Sequence, residues 1–230
     1  MATTALCNSF KAELLNGGHV FQAPEVFTAN AVSGSYAVTG ISSTYTANIA
    51  VGMSVSATSV QASTVVAAVS TNGLTLSLPT TGTITNGTFT LAADVFKIAL
   101  IIASPTLSGG YGANQTSYGT GSGTPSLSNL GTDELANGNG YTTGGFTLTD
   151  VAAVMSSGTA YITFGVNPSW SAATFSASAA LIYNTSTRIG GVANRAVAVL
   201  DFGGTQSVTT GVFTLIVPAA TSSTALIRLS

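Results

Sequence analysis

The sequence predicts an all-β protein: an antiparallel β-sandwich or jelly-roll-like main domain with one short N-terminal helix, plus an inserted small β-sandwich. Three observations carry that prediction. Apolar and small residues alternate in short runs, glycine-rich breaks separate the runs, and helical periodicity occurs once.

The one helical signal comes first. Thr4 is a suitable N-cap for a helix over 5–15, in which Leu6, Phe10 and Leu14 fall four apart with Cys7 and Leu15 beside the same stripe. Lys11 and Glu13 would face outward. Asn16-Gly17-Gly18 supplies the glycine that ends helices in a left-handed turn. A short amphipathic helix beside a sheet plugs one end of a core or docks on a neighbour, which makes Phe10 and Leu14 candidate interface residues.

The texture changes at 28. From 28 to 92 Thr, Ser, Ala and Val alternate without a charged residue, and 51–55, 64–69, 74–78 and 88–91 read as strands. Asn72-Gly73, between two of them, predicts a type I′ hairpin. The expected organisation is a discontinuous main domain, 1–27 and 93–230, interrupted by a small β-domain at 28–92.

Asp94-Val-Phe-Lys-Ile-Ala-Leu-Ile-Ile102 resumes the main domain with two largely apolar faces, the mark of a central strand. The Gly, Ser, Thr, Asn and Tyr of 108–129 predict a long exposed loop that presents Tyr111 and Tyr118. Further strands are expected at 146–148, 161–164, 175–183, 196–202, 212–217 and 225–229, with breaks at Gly203-Gly204 and Pro218. Trp170 sits at a strand end, where it would anchor the core or an interface.

Composition removes several functions. Charged residues make up 5% of the 230 residues, against about 25% in ordinary globular chains. Five scattered cations (Lys11, Lys97, Arg188, Arg195, Arg228) and a net charge of -2 speak against nucleic-acid binding. Mean hydropathy is +0.48, yet the most apolar run, 95–103, contains Lys97 and is far shorter than the ~20 residues of a spanning helix. No membrane partner is therefore expected. The N-terminus lacks a signal-peptide pattern, which points to synthesis in a cytoplasm. Cys7, the one cysteine, is expected as an inert buried thiol.

No catalytic, cofactor-binding or metal-binding residues are expected. His19 is the one histidine, and Gly-Gly-His-Val-Phe around it offers no nearby acid. Asp133-Glu134 reads as a solvated pair in a polar loop. Asp201 is expected to accept backbone hydrogen bonds in the Gly203-Gly204 turn.

Six motifs follow one another in the chain. They are Asn8-Ser-Phe-Lys-Ala-Glu-Leu-Leu-Asn-Gly-Gly-His-Val-Phe, Phe96-Lys-Ile-Ala-Leu, Gly140-Tyr-Thr-Thr-Gly-Gly, Trp170-Ser-x-x-Thr-Phe, Leu181-Ile-Tyr-Asn and Asp201-Phe-Gly-Gly. In that order they resemble small structural proteins of tailed-phage virions, the decoration or cement proteins of the head. The resemblance covers 1–27 and 93–230, and the stretch 28–92, which departs from it, is similar to immunoglobulin-like modules inserted into phage surface proteins. It implies a virion component on the capsid exterior, made in the host-cell cytoplasm, with the major capsid protein and further copies of itself as partners. The alternative is a tail, fibre or neck component that holds a host-surface glycan.

Overall fold

The computed structural model describes residues 1–21, 24–149, 153–186 and 193–229. The chain divides into two compact units, Met1–His19 with Val95–Ser230, and Val20–Asp94. Fourteen strands are described, β1 (Ala5–Leu6), β2 (Glu25–Ala31), β3 (Ala37–Thr39), β4 (Ser54–Ser56), β5 (Val66–Ser70), β6 (Gly73–Leu76), β7 (Ile84–Ala92), β8 (Phe96–Ile102), β9 (Phe146–Thr147), β10 (Val154–Ser156), β11 (Thr159–Ile162), β12 (Ser169–Asn184), β13 (Arg195–Thr214) and β14 (Ile227–Leu229). Two helices join them, α1 (Asn8–Leu15) and the single turn α2 (Ser43–Thr46). All strand pairings between them are antiparallel. The chain is all-β with one substantial helix.

The helix starts later than its sequence pattern suggests. Residues 5 and 6 are extended because β13 takes their backbone: Ala5 pairs with Val199 and Leu6 with Ala198, and the Cys7 N–H donates to Val197 O at 2.9 Å. Cys7 is the N-cap and makes no side-chain capping bond, while the Thr4 hydroxyl instead accepts the Asp201 N–H at 2.9 Å. Phe10 is buried, Leu14 is half-buried and Leu15 is exposed, so the apolar stripe is narrower than expected. The C-terminal turn follows the sequence. Gly17 has φ +70, the Gly17 N–H reaches Leu14 O at 3.2 Å, and the Gly18 N–H reaches Glu13 O at 2.7 Å.

Cys7 is fully buried, and its thiol is pushed up to about 12 by that burial, with the Glu13 charge adding to it and Lys11 opposing. Reaction with a thiol reagent at about pH 8 is expected to run at least about 100-fold slower in the native protein than in denaturant. Equal rates in mass-spectrometric labelling would show that the thiol is open to solvent.

In the second unit the strands form one six-stranded sheet, ordered β4-β7-β2-β3-β6-β5. Its ends meet: the Val55 N–H donates to Thr64 O at 2.9 Å, the Val66 N–H to Met53 O at 2.9 Å, and the Gly52 N–H to Val66 O at 2.8 Å. Bulges between Ala29 and Ala31 and between Val66 and Ala68 bend the strands into this closure. The core holds Phe27 stacked on Phe89 at 6.0 Å, with Met53, Leu74, Leu76 and Leu91 around them. The layers of the inserted sandwich are thus continuous, and the two separate sheets of an immunoglobulin-like module do not form among the described residues.

Two boundaries need correcting. The charge-free texture begins at 28, but the unit begins at Val20, because β2 carries Glu25 and pairs Phe27 with Phe89. It ends at Asp94 rather than 92, where the Asp94 carboxylate accepts the Val20 N–H at 2.9 Å and the Asp94 N–H donates to Val20 O at 3.2 Å. The hairpin signal at Asn72-Gly73 is also read differently by the fold. The β5–β6 hairpin is there, with Ser70 facing Gly73, so Thr71 and Asn72 make the turn and neither has positive φ. Gly73 is required by a close approach instead, since a Cβ there would lie 2.6 Å from Val38 O.

The first unit contains a five-stranded sheet, ordered β1-β13-β12-β8-β9, and a three-stranded sheet, ordered β10-β11-β14. β8 is central, with β12 on one side and β9 on the other, and five of its seven residues are buried. Phe164, just past β11, packs its ring 5.7 Å from Phe96 of β8. The sequence splits β13 at Gly203-Gly204, but the structure runs through them. Six residues of β13 (201 to 206) span what the three residues Ala177 to Ala179 span on β12, so the glycines (φ +72 and +144) form a bulge within one long strand. Asp201 behaves as expected there, its Oδ1 accepting the Gly203 N–H at 3.2 Å.

Candidate functional site

The densest polar chemistry of the first unit lies where the glycine-rich loop meets the 3₁₀ turn Gly131–Asp133. Asp133 and Glu134 are not solvated. Asp133 is 0% exposed and Glu134 5%. In an otherwise charge-poor chain, both must be fully hydrogen-bonded to be tolerated.

Asp133 is held by backbone. Its Oδ1 accepts the Thr106 N–H and hydroxyl, each at 2.8 Å. Its Oδ2 accepts the Thr106 N–H at 2.8 Å, the Leu107 N–H at 2.9 Å and the Tyr111 hydroxyl at 2.9 Å. Burial pushes its carboxyl up, but the donors of Thr106, Leu107 and Tyr111 outweigh it and leave it below the usual carboxylate range.

Glu134 is held mainly by tyrosines. Oε2 accepts the Tyr118 hydroxyl at 2.6 Å, while Oε1 accepts the Tyr141 hydroxyl at 2.8 Å and the Gly144 N–H at 2.6 Å. Here burial wins: the carboxyl lies above its ordinary value despite the bonds from Tyr118, Gly144 and Tyr141 and the charge of Lys97. Tyr118 stacks on Tyr183 with centroids 4.3 Å apart, and the Tyr183 hydroxyl donates to Gly144 O at 2.8 Å. Tyr141 uses its oxygen twice, accepting the Leu100 N–H of β8 at 3.0 Å. Burial raises the phenols of Tyr111, Tyr118, Tyr141 and Tyr183, and the adjoining carboxylates raise them further.

The two candidate exposed tyrosines are therefore core residues. Tyr111 is 1% exposed and Tyr118 7%. The 108–129 segment does not wave in solvent; it lies along the sheet. The Ala196 N–H donates to Thr116 O at 3.0 Å, and the Tyr118 N–H donates to Asn194 O at 2.8 Å. Composition could not reveal this, because glycine and serine supply the turns while tyrosine and the acids supply the anchors. The available signal was the pairing of three tyrosines (111, 118 and 141) with two acids in a chain that has only seven.

A groove of about 290 Å³ borders this cluster, lined by Gly121, Ser122, Gly123, Thr132, Glu134 and Thr143 among others. Both Glu134 oxygens already accept bonds within the protein. What the arrangement does chemically is lock a loop.

His19 has the acid its local sequence lacked. Its Nε2 lies 2.9 Å from Glu13 Oε2, delivered by the helix end six residues earlier, and its Nδ1 lies 3.0 Å from Asn184 Nδ2. The amide donates to Nδ1, so Nε2–H donates to Glu13 in the neutral tautomer. The ring sits between Phe10 at 4.9 Å and Phe96 at 6.2 Å, and Glu13 also approaches Arg195 at 3.7 Å. This group ties α1 to the sheet.

Of the candidate interface residues, Phe10 and Trp170 are buried within the first unit, and Leu14 is half-buried. Trp170, second in β12, lies in an aromatic cluster with Tyr141 (6.1 Å), Phe146 (6.0 Å) and Phe213 (5.9 Å). Neither side chain is available to a partner. Arg188 lies outside the described residues. No group of three or more His, Cys, Asp or Glu suited to a metal ion is found among the described residues, and no described helix is long and apolar enough to cross a membrane.

The fold and this cluster define an antiparallel β-protein of two units, the first with a loop latched by buried acid–tyrosine bonds. Comparison with protein-family models, with curated proteins and with solved structures finds no match.

Proposed function

We propose that this chain is a structural protein of a tailed-phage virion, a decoration or cement subunit that binds the major capsid protein and stabilises the head. The observation that carries the reading is that five of the six motifs of the resemblance, and all of the other but its last two residues (Val20 and Phe21), fall within the first unit, although Val20–Asp94 interrupts them. In that unit they occupy structurally decisive places: α1, the central strand β8, the turn that positions Tyr141, both ends of β12 and the β13 bulge. Two of the three buried acids among the described residues, Asp133 and Glu134, are committed to latching a loop, which suits a part that must keep its shape. A subunit of this kind acts by bridging capsid subunits and adding buried area at junctions loaded by packaged DNA.

The test is the ratio of this chain to the major capsid protein in purified virions, by quantitative mass spectrometry. A ratio near one, or a simple fraction set by the lattice, is expected. A ratio of a few per cent would move the chain to the tail, fibre or neck, and absence from virions would overturn both placements. A host-glycan site on Tyr111 and Tyr118 finds no support, since both rings are buried.

A further inference from the structure

β13 has one uncovered margin. β1 pairs with it only at Ala198 and Val199, and Thr4 covers the Asp201 N–H. Beyond that point, residues 202–214 hydrogen-bond, among the described residues, to β12 and to their own bulge at Asp201. An uncovered margin of this kind presents a row of N–H and C=O groups that an extended strand satisfies. The bulge at 202–205 and the register shift at 209–210, where Thr210 has positive φ (+48), leave 206–208 as its regular part.

We infer that this margin pairs antiparallel with the same margin of a second copy, about a twofold axis at Ser207. The residues that usually blunt an edge are missing, since 202–226 holds no charged residue and no proline before Pro218. Two copies at a net charge of -2 each therefore bring uncharged margins together without repulsion at the contact. A pairing centred on Ser207 matches 206 with 208. It carries Val212 of each copy toward the end of the other that bears Phe202.

Those ends have apolar surface to cover. Val212 is 65% exposed and Ile216 72%, and a groove of about 410 Å³ runs beside the margin, lined by Leu200, Phe202, Phe213, Leu215, Ile216 and Pro218 among others. A stable interface needs about 800 Å² per partner. Three paired residues fall far short of that, so the apolar surface beside the margin has to carry most of the contact. The dimer is therefore weak and concentration-dependent. It rests on β13 alone and not on the virion assignment.

The experiment uses the full chain, whose own Cys7 is buried. Opposed Cα atoms in an antiparallel pair lie about 4.5–5.5 Å apart, within disulfide reach. Under mild oxidation Ser207→Cys is expected to give a cross-linked dimer. Gln206→Cys alone is not, but a mixture of Gln206→Cys with Val208→Cys is. In sedimentation at about 100 μM, Ser207→Lys, which sets two like charges opposite each other, is expected to lower the dimer fraction at least about tenfold while circular dichroism stays unchanged. A wild-type chain that is monomeric at that concentration overturns the inference, and so does cross-linking of Gln206→Cys as fast as Ser207→Cys. Either failure leaves the virion assignment standing, because that is read from copy number.

Discussion

Asp133→Asn is expected to destabilise the first unit by about 3 kcal/mol, while Glu134→Gln next to it costs about 1 kcal/mol or less. The two residues are adjacent, buried and acidic, so charge alone does not separate them. The donors do. Both oxygens of Asp133 face backbone N–H groups, of Thr106 and Leu107, so an asparagine NH₂ meets a fixed donor whichever way it is turned. At Glu134 only Oε1 faces backbone, the Gly144 N–H, whereas Oε2 faces the Tyr118 hydroxyl. A hydroxyl can turn and accept, so glutamine fits with its oxygen toward Gly144 and its NH₂ toward Tyr118.

Acid sharpens the difference. The folded value of Asp133 is depressed, so its contribution is fully present above the unfolded carboxylate value of about 4 and is lost as pH falls through the lower folded value. Glu134 is raised, so its effect has the opposite sign. Protonation favours the fold, and that stabilisation is lost as pH rises from the unfolded value of about 4.3 through the folded one. Asp133→Asn should therefore reduce the loss of stability in acid, and Glu134→Gln should remove the loss on the rise from acid. Urea denaturation followed by the fluorescence of Trp170, the one tryptophan, measures both in the first unit. Equal destabilisation by the two substitutions would show that the donor geometry does not govern the site.

Trp170→Ala is expected to cost about 3–5 kcal/mol in the purified chain, the range for deleting a large buried aromatic ring. The ring meets Tyr141, Phe146 and Phe213, which come from the loop, β9 and β13, so its loss opens a cavity where three segments converge. Circular dichroism in urea reads the effect with no partner present. A side chain that served only as an anchor for a neighbouring subunit would leave the isolated chain's stability unchanged, and that outcome would return Trp170 to the interface.

Much of the fold was legible because it is local. The central character of β8 follows from its two apolar faces, the end of α1 from Gly17, and the all-β class from alternation. The errors arose where distant segments decide. Thr4 looks like a cap until β13 claims residues 5 and 6, and Gly203-Gly204 looks like a break until β12 is seen to pair on both sides of it. The same limit explains the site. Tyr118 and Tyr183 are 65 positions apart by their numbers, and nothing near either one announces a stacked pair. The low polarity of His19's neighbours likewise hid Glu13, which returns to it only because the helix ends in a tight turn.

The bonds between Val20 and Asp94 have a topological consequence. The chain that departs after His19 comes back at Val95, and the intervening 75 residues close their own doorway with a backbone bond and a carboxylate. Entropy of closing an excursion rises only logarithmically with its length, and here the excursion closes itself. Whatever occupies the doorway thus asks of its host only that two consecutive points of the path be left unjoined, so any module whose termini clasp each other is a replaceable cartridge in the same frame.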